Sequence, residues 1–407
     1  MTYALQHLKV IDAASYLAGP AAATVMADYG ADVTKIEPLQ GDGYRLLVGR
    51  YAVPYHWQLT SRNKRSLALD LRQAAGQDVL HKLIADADVL LTNFRPDQLS
   101  DFNMTFEQMS ALNERLIVGH LTGYGDKGPD SNMRAFDVTA WWARSGMMDL
   151  VREPNQLPQQ GAGGFGDHAT AMSLFGAVMM ALYQRERTGK GGLVSTSLAA
   201  NGVWANGMQI QGKIAGFDSN AWRQKKGMRS PFGNTYKTQE GRYVVMCLTN
   251  PAKEWPALAA ALGHREWLED ERFATARAVS RHQDEMRSMI SAVIEKLSLS
   301  QTRSAMDEYS IAYGVVQNLD DVVRDEQLKI NDIIVPTDSD HPDYQWTVGS
   351  PIQIAGQEKK PASIAPQVGE HSRQILAELG YSSTQISDMI QSGSVGEPVG
   401  LSDDSPK

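Results

Sequence analysis

LKVIDAASYLAGPAAATVMADYGADVTKIE, residues 8 to 37, decides the fold class. Its opening, LKVID, is apolar enough for a buried strand, and DVTKIE at residues 32 to 37 reads the same way. Between them Ala18-Gly19-Pro20 turns into the helical run PAAATVMADYG, which Gly30 closes. A strand, a helix and a strand in so short a span make the unit of a parallel sheet, since the helix must carry the chain back to where the first strand began. The alternation recurs with a helical pattern from Gln73 to Ala87, the strand DVLLTNF, a helix around Thr105 to Asn113 and the strand RLIVGHLTGYG. The expected architecture is an α/β fold with helices on both faces of a parallel sheet. Ligands of such sheets bind beyond the carboxyl ends of the strands, which points to the loops after Asp12, Glu37, Asn93 and Thr122.

Further along, a long helix is expected from about His168 to Thr188, stopped by QRERTGKGG. LVSTSLAANGVWANGM then reads as strand and helix. At 407 residues the chain exceeds what one core usually supports, so two domains are expected. Residues 1 to 212 form the first part of a large domain, 213 to 233 a Gly-, Lys- and Arg-rich linker or mobile loop, and 234 to 330 a small domain. The small domain opens on the hairpin TYKTQEGRYVVMCL and continues in helices to about Arg324. Residues 331 to 392 return to the large domain, Pro-rich and irregular to 368, then closing with helices in GEHSRQILAELG and STQISDMIQ. Residues 393 to 407 are expected to be a disordered tail.

The net charge of -8 argues against nucleic acid as a partner, because phosphate backbones call for a basic surface. It leaves room for a phosphorylated ligand, which needs only a local cluster of Lys and Arg. Histidine and cysteine show no metal-ligand spacing, so no metal is expected. The single cysteine, Cys247, lies in GRYVVMCL and is expected to be a buried strand residue. The longest apolar stretch, Ala171 to Tyr183, is too short to cross a bilayer, and the N-terminus has no signal-peptide pattern. A cytoplasmic protein without membrane contact is the expectation.

GAGGFG at 161 to 166 matches the dinucleotide pattern G-x-G-x-x-G, but no strand precedes it and no βαβ unit surrounds it. What these glycines offer is a bare backbone leading into Asp167 at the start of a helix. The ordinary role of such an aspartate is to cap the helix. The same amides would favour its ionised form, leaving a carboxylate able to act as a nucleophile at neutral pH. Basic residues gather near the predicted strand ends: Lys64, Arg65, Arg72, Arg95 and Arg134. Singly each reads as solvated surface; together they fit a phosphate-bearing ligand. The aromatic run FDVTAWWARSG reads as core.

The opening segment, with NKRSLALDL, ADVLLTNFRP, HLTGYGDKGP, FDVTAWWARSG, GDHATAM, ALYQRERTGKG and GEHSRQIL, resembles the family III CoA-transferases, the carnitine and bile-acid CoA-transferase (CaiB/BaiF) family. TGYGDKGP, FDVTAWWARSG and GFGDHATAM look most like the branch of phenyllactate and 2-hydroxyisocaproate CoA-transferases. The resemblance implies a Rossmann-like large domain, a smaller α+β domain and an interlocked homodimer. It implies acyl-CoA and small carboxylic acids as substrates, coenzyme A as the carrier, and Asp167 as the nucleophile that forms an aspartyl-CoA thioester. CoA contacts carry over to Leu71, Arg72, Asn93, Phe94 and Arg134, with Lys64, Arg65 and Arg95 added on charge. Tyr16, Leu17, Phe136, Asp137, Gly166 and His168 fall at the substrate pocket, and a glycine-containing loop around Gly227 to Gly233 would offer N–H groups to oxyanions. Leu17 and Pro38 depart from the formyl-CoA branch, which has glutamine and a basic residue there, so transfer to oxalate is disfavoured. The competing reading is a 2-methylacyl-CoA racemase, whose proton-transfer histidine would stand where this chain has Phe136.

Overall fold

A computed structural model describes residues 3–47, 51–153, 155–217 and 230–398. The chain divides into two compact units, Met1–Gln211 with Gln327–Lys407, and Gly212–Glu326. Residues 218–229, most of the expected linker and part of the expected glycine loop, lie outside the described residues, while Pro231–Gly233 forms a turn of 3-10 helix.

The first unit is built on a seven-stranded sheet. Its strands are β1 (Lys9–Asp12), β2 (Asp32–Glu37), β3 (Arg65–Leu69), β4 (Val89–Thr92), β5 (Ile117–Thr122) and β6 (Gly192–Ser197), all parallel where they pair. The order β3-β2-β1-β4-β5-β6 reverses direction between β1 and β4, which opens a crevice at their carboxyl ends. Strands β4 and β5 are buried along their whole length, as covered parallel strands must be. Helix α1 (Ala18–Asp28) links β1 to β2, and every one of its residues is buried. Near the chain end, Val395–Gly396 pairs antiparallel with β3 and Val395 is buried, so part of the expected disordered tail is an edge strand; residues 399–407 lie outside the described residues.

One face of the sheet carries α1 and the long helix Phe165–Thr188, whose inward stripe is Gly166, Thr170, Leu174 and Val178 at four-residue spacing. The other carries the helices Ala74–Ala85 and Phe106–Leu112, with Ile375, Leu376 and Ile386 of the closing helices packed beside them. Thr105 caps the second of these through a reciprocal pair with Gln108. The 331–368 stretch is largely irregular as expected, but contains a two-stranded antiparallel ribbon, Ile334–Pro336 with Trp346–Val348.

The second unit has its own core of Phe232, Tyr236, Val244, Trp255, Ile290 and Met306. Its hairpin gains a third strand, Tyr313–Val315, that local sequence did not mark. Cys247 corrects an expectation: it is exposed, because strand Tyr243–Met246 alternates, burying Val244 and Met246 and turning odd-numbered residues outward.

Candidate active site

The helix Phe165–Thr188, hereafter the site helix, starts three residues earlier than its periodicity suggested. Gly164 sits just before it at φ 93°, a left-handed conformation that costs glycine little. Gly166 is fixed by space: a Cβ there would fall 2.2 Å from Trp141 Cγ and 2.3 Å from Asp137 Oδ1. Asp167 therefore stands in the first helical turn rather than at the capping position.

Beneath this turn lies Asp137, buried at the start of a π-helix, Asp137–Ala143, whose Trp141 and Trp142 are core residues as expected. The Gly164 N–H donates to Asp137 Oδ2 at 2.9 Å. Burial pushes the Asp137 carboxyl up, opposed by the N–H groups of Gly164, Gly166 and Asp167 and by the Trp142 indole. The Asp167 carboxyl is pushed up to about 7, first by its own burial and then by the charge of Asp137. Helix amides were expected to favour the anion; here loss of water and a like charge act against them. The neighbouring His168 imidazole is pulled down by partial desolvation, opposed by the charge of Asp137.

Other residues close the pocket. Leu17 packs against the helix start, since a Cβ on Gly164 would lie 2.9 Å from Leu17 Cδ1. Tyr16 holds φ 64°, unusual for a bulky side chain, with its N–H donating to both Asp42 carboxylate oxygens at 3.2 Å. Its ring meets Phe136 edge to face at 5.6 Å, and both rings remain exposed. The buried Tyr44 went unnoticed in the sequence; burial and the charge of Asp167 push its hydroxyl up to about 12. Nothing local in GDGYRLL marks it.

A second hollow of about 300 Å³ lies at the carboxyl ends of β1 to β4. Leu71, Arg72, Phe94 and Phe102 line it, with Ala13 to Ser15 and Ile36 to Leu39. The Arg72 side chain is largely exposed and pairs with Asp70 at 2.8 Å. Asn93 stands nearby with both ends of its amide committed, accepting from the Ser15 N–H and donating to the Ser15 carbonyl, each at 2.9 Å. It therefore ties two loops together. Arg95 pairs with Asp97, whose N–H donates to Asn132 Oδ1; this brings the loop bearing the exposed Arg134 beside Arg95.

Two expected phosphate ligands are not brought to this crevice. Lys64 is buried, donating to Asp12 Oδ2 at 2.8 Å and to the carbonyls of Pro20 and Thr60, so no proton is left for a ligand. Burial pulls it down to about 8. Arg65 opens β3, at the amino ends of the strands, and pairs there with Asp32 and Glu378. Among the described residues no cluster of His, Cys, Asp and Glu is placed to hold a metal ion, and no helix is long and apolar enough to cross a membrane.

The model of "CoA-transferase family III" matches residues 5–372. The chain belongs to that family. The (R)-2-hydroxy-4-methylpentanoate CoA-transferase of Clostridioides difficile is 29% identical over 95% of this chain and 98% of its own. The cinnamoyl-CoA:phenyllactate CoA-transferase of Clostridium sporogenes is 28% identical over 94% of this chain and 95% of its own. A CAIB/BAIF family protein from Brucella suis superimposes with a TM-score of 0.81 at 26% identity, covering 93% of this chain and all of that one. Membership of CoA-transferase family III makes the chain a CoA-transferase by class, and the relatives support the hydroxy-acid branch.

Proposed function

We propose that the chain moves coenzyme A from an acyl-CoA donor to a carboxylic acid acceptor through an aspartyl-CoA thioester on Asp167. The observation that carries this reading is the carboxyl of Asp167, half-buried at the bare first turn of the site helix and pushed up to about 7. A carboxylate of raised basicity is a better nucleophile once ionised. Its oxygen attacks the donor carbonyl, expelling CoA thiolate and leaving a mixed anhydride. The thiolate attacks the aspartyl carbonyl, releasing the donor acid and forming the thioester. The acceptor carboxylate then attacks that thioester, and the same steps in reverse deliver the new acyl-CoA and free Asp167.

The CoA nucleotide belongs, in this reading, in the crevice at the ends of β1 to β4, with Leu71 and Phe94 as apolar walls and Arg72, Arg95 and Arg134 near its mouth. The acyl group lies toward Leu17 and the Tyr16–Phe136 pair. A dianionic acceptor such as oxalate would bring a second charge toward two carboxyls, so monocarboxylic acids with apolar side chains are the favoured substrates. The racemase reading is not favoured, because Phe136 has no ionisable atom to serve as the second proton-transfer group. A cytoplasmic homodimer accompanies this reading; exposed Met180, Tyr183, Trp204 and Met208 are apolar surface that a second copy would cover.

Assaying acyl-CoA donors against a panel of acids tests the proposal. CoA transfer to a 2-hydroxy or aryl acid, lost by about 10³-fold or more in Asp167→Ala, is expected. Undiminished transfer in that variant, or α-proton exchange without transfer, would overturn it.

A further inference from the structure

The carboxyl end of β5 carries a histidine that this chemistry does not use. His120 is buried, with Thr92 of β4 and Ser195 of β6 beside it in register. Its Nε2 lies 2.8 Å from the Phe94 carbonyl, and its Nδ1 lies 2.8 Å from Asp126 Oδ1. A carbonyl oxygen only accepts, so Nε2 must donate, and one further proton is shared between Nδ1 and the Asp126 carboxyl. The ring thus spans two loops. One follows β4 and places Phe94 on the crevice wall; the other follows β5, carries Asp126 and runs on past Arg134 to Phe136. Phe94 is held besides by its N–H donation to Thr92 Oγ1 at 3.2 Å, by the edge of Phe102 at 5.2 Å and by packing against the core that includes Leu71, so the bridge adds the hold on its carbonyl.

We infer that His120, locked by Asp126, is a positioning residue for CoA: it sets the Phe94 wall and joins it to the loop that leads to the acyl pocket. The inference rests on the reading that the crevice holds the CoA nucleotide. It places the effect in CoA binding rather than in chemistry at Asp167, since His120 touches neither the carboxyl nor its immediate neighbours.

Asp126 is the better residue to change, because its side chain is one-third exposed and lies in a loop. Asp126→Ala removes the Nδ1 partner. Asp126→Asn restores one without charge, since its amide can donate to Nδ1 of a neutral ring while Nε2 still donates to Phe94. Calorimetric titration with CoA and steady-state kinetics with an acyl-CoA that serves as donor would be run on wild type and both variants. The expected result is CoA binding weakened about tenfold in Asp126→Ala, a similar rise in KM and kcat within about twofold, with Asp126→Asn close to wild type. Unchanged CoA affinity in Asp126→Ala, a loss confined to kcat, or equal losses in both variants would overturn the inference. A wild-type protein that bound no CoA would instead refute the reading of the crevice itself.

Discussion

Asp137 and Asp167 share one wall of the site, and the charge of Asp137 penalises ionisation of Asp167. Activity limited by ionised Asp167 should rise with pH through about 7. In Asp137→Asn the retained oxygen still accepts from Gly164, while the like charge is gone. The rising limb of kcat/KM should then move about one unit toward lower pH, whereas an unmoved limb would show that Asp137 does not set it. The same shift bears on stability. An unfolded Asp carboxyl ionises near 3.8 and the folded one near 7, so the folded chain holds a proton the unfolded chain has lost between those values. Stability should fall as pH rises across that window, with the full penalty above it. Asp167→Asn should therefore raise thermal stability more at pH about 8 than at about 5, by roughly 1–3 kcal/mol after screening. Equal gains at both would contradict a raised carboxyl. The glycines before Asp167 made its place legible in the sequence; Asp137 beneath it was reached through the resemblance alone, because twenty-nine intervening residues separate the pair and no local pattern joins them.

At the level of elements, β1, α1 and β2 follow the sequence closely because each is local and strongly patterned. The short strands Tyr313–Val315 and Val395–Gly396 were missed because their identity comes from partners far away in the chain. Lys64 shows the same limit with a charged residue. It looked like a surface base, yet Asp12, Pro20 and Thr60 enclose it, joining the ends of β1, α1 and the helix Tyr55–Ser61. Lys64→Ala would leave Asp12 buried without its partner and should cost about 3–5 kcal/mol in denaturant unfolding. A cost under about 1 kcal/mol would mean that water reaches the cavity and replaces the ammonium.

For the whole molecule, the observed large, mostly parallel sheet is of the α/β kind expected, and its crevice lies at the β1/β4 reversal. The exposed apolar residues on the site helix and the two helices after β6 carry the homodimer proposal. Light scattering should give twice the chain mass, and Trp204→Glu with Met208→Glu should shift it toward one. A wild-type monomer would remove that proposal while leaving the chemistry of Asp167 untouched. That chemistry is tested most directly by intact-mass analysis after incubating the protein with acyl-CoA and no acceptor acid. The account predicts an adduct of CoA less one water, mapped to Asp167 and absent from Asp167→Ala. Turnover with no such adduct, or an adduct on another residue, would contradict it.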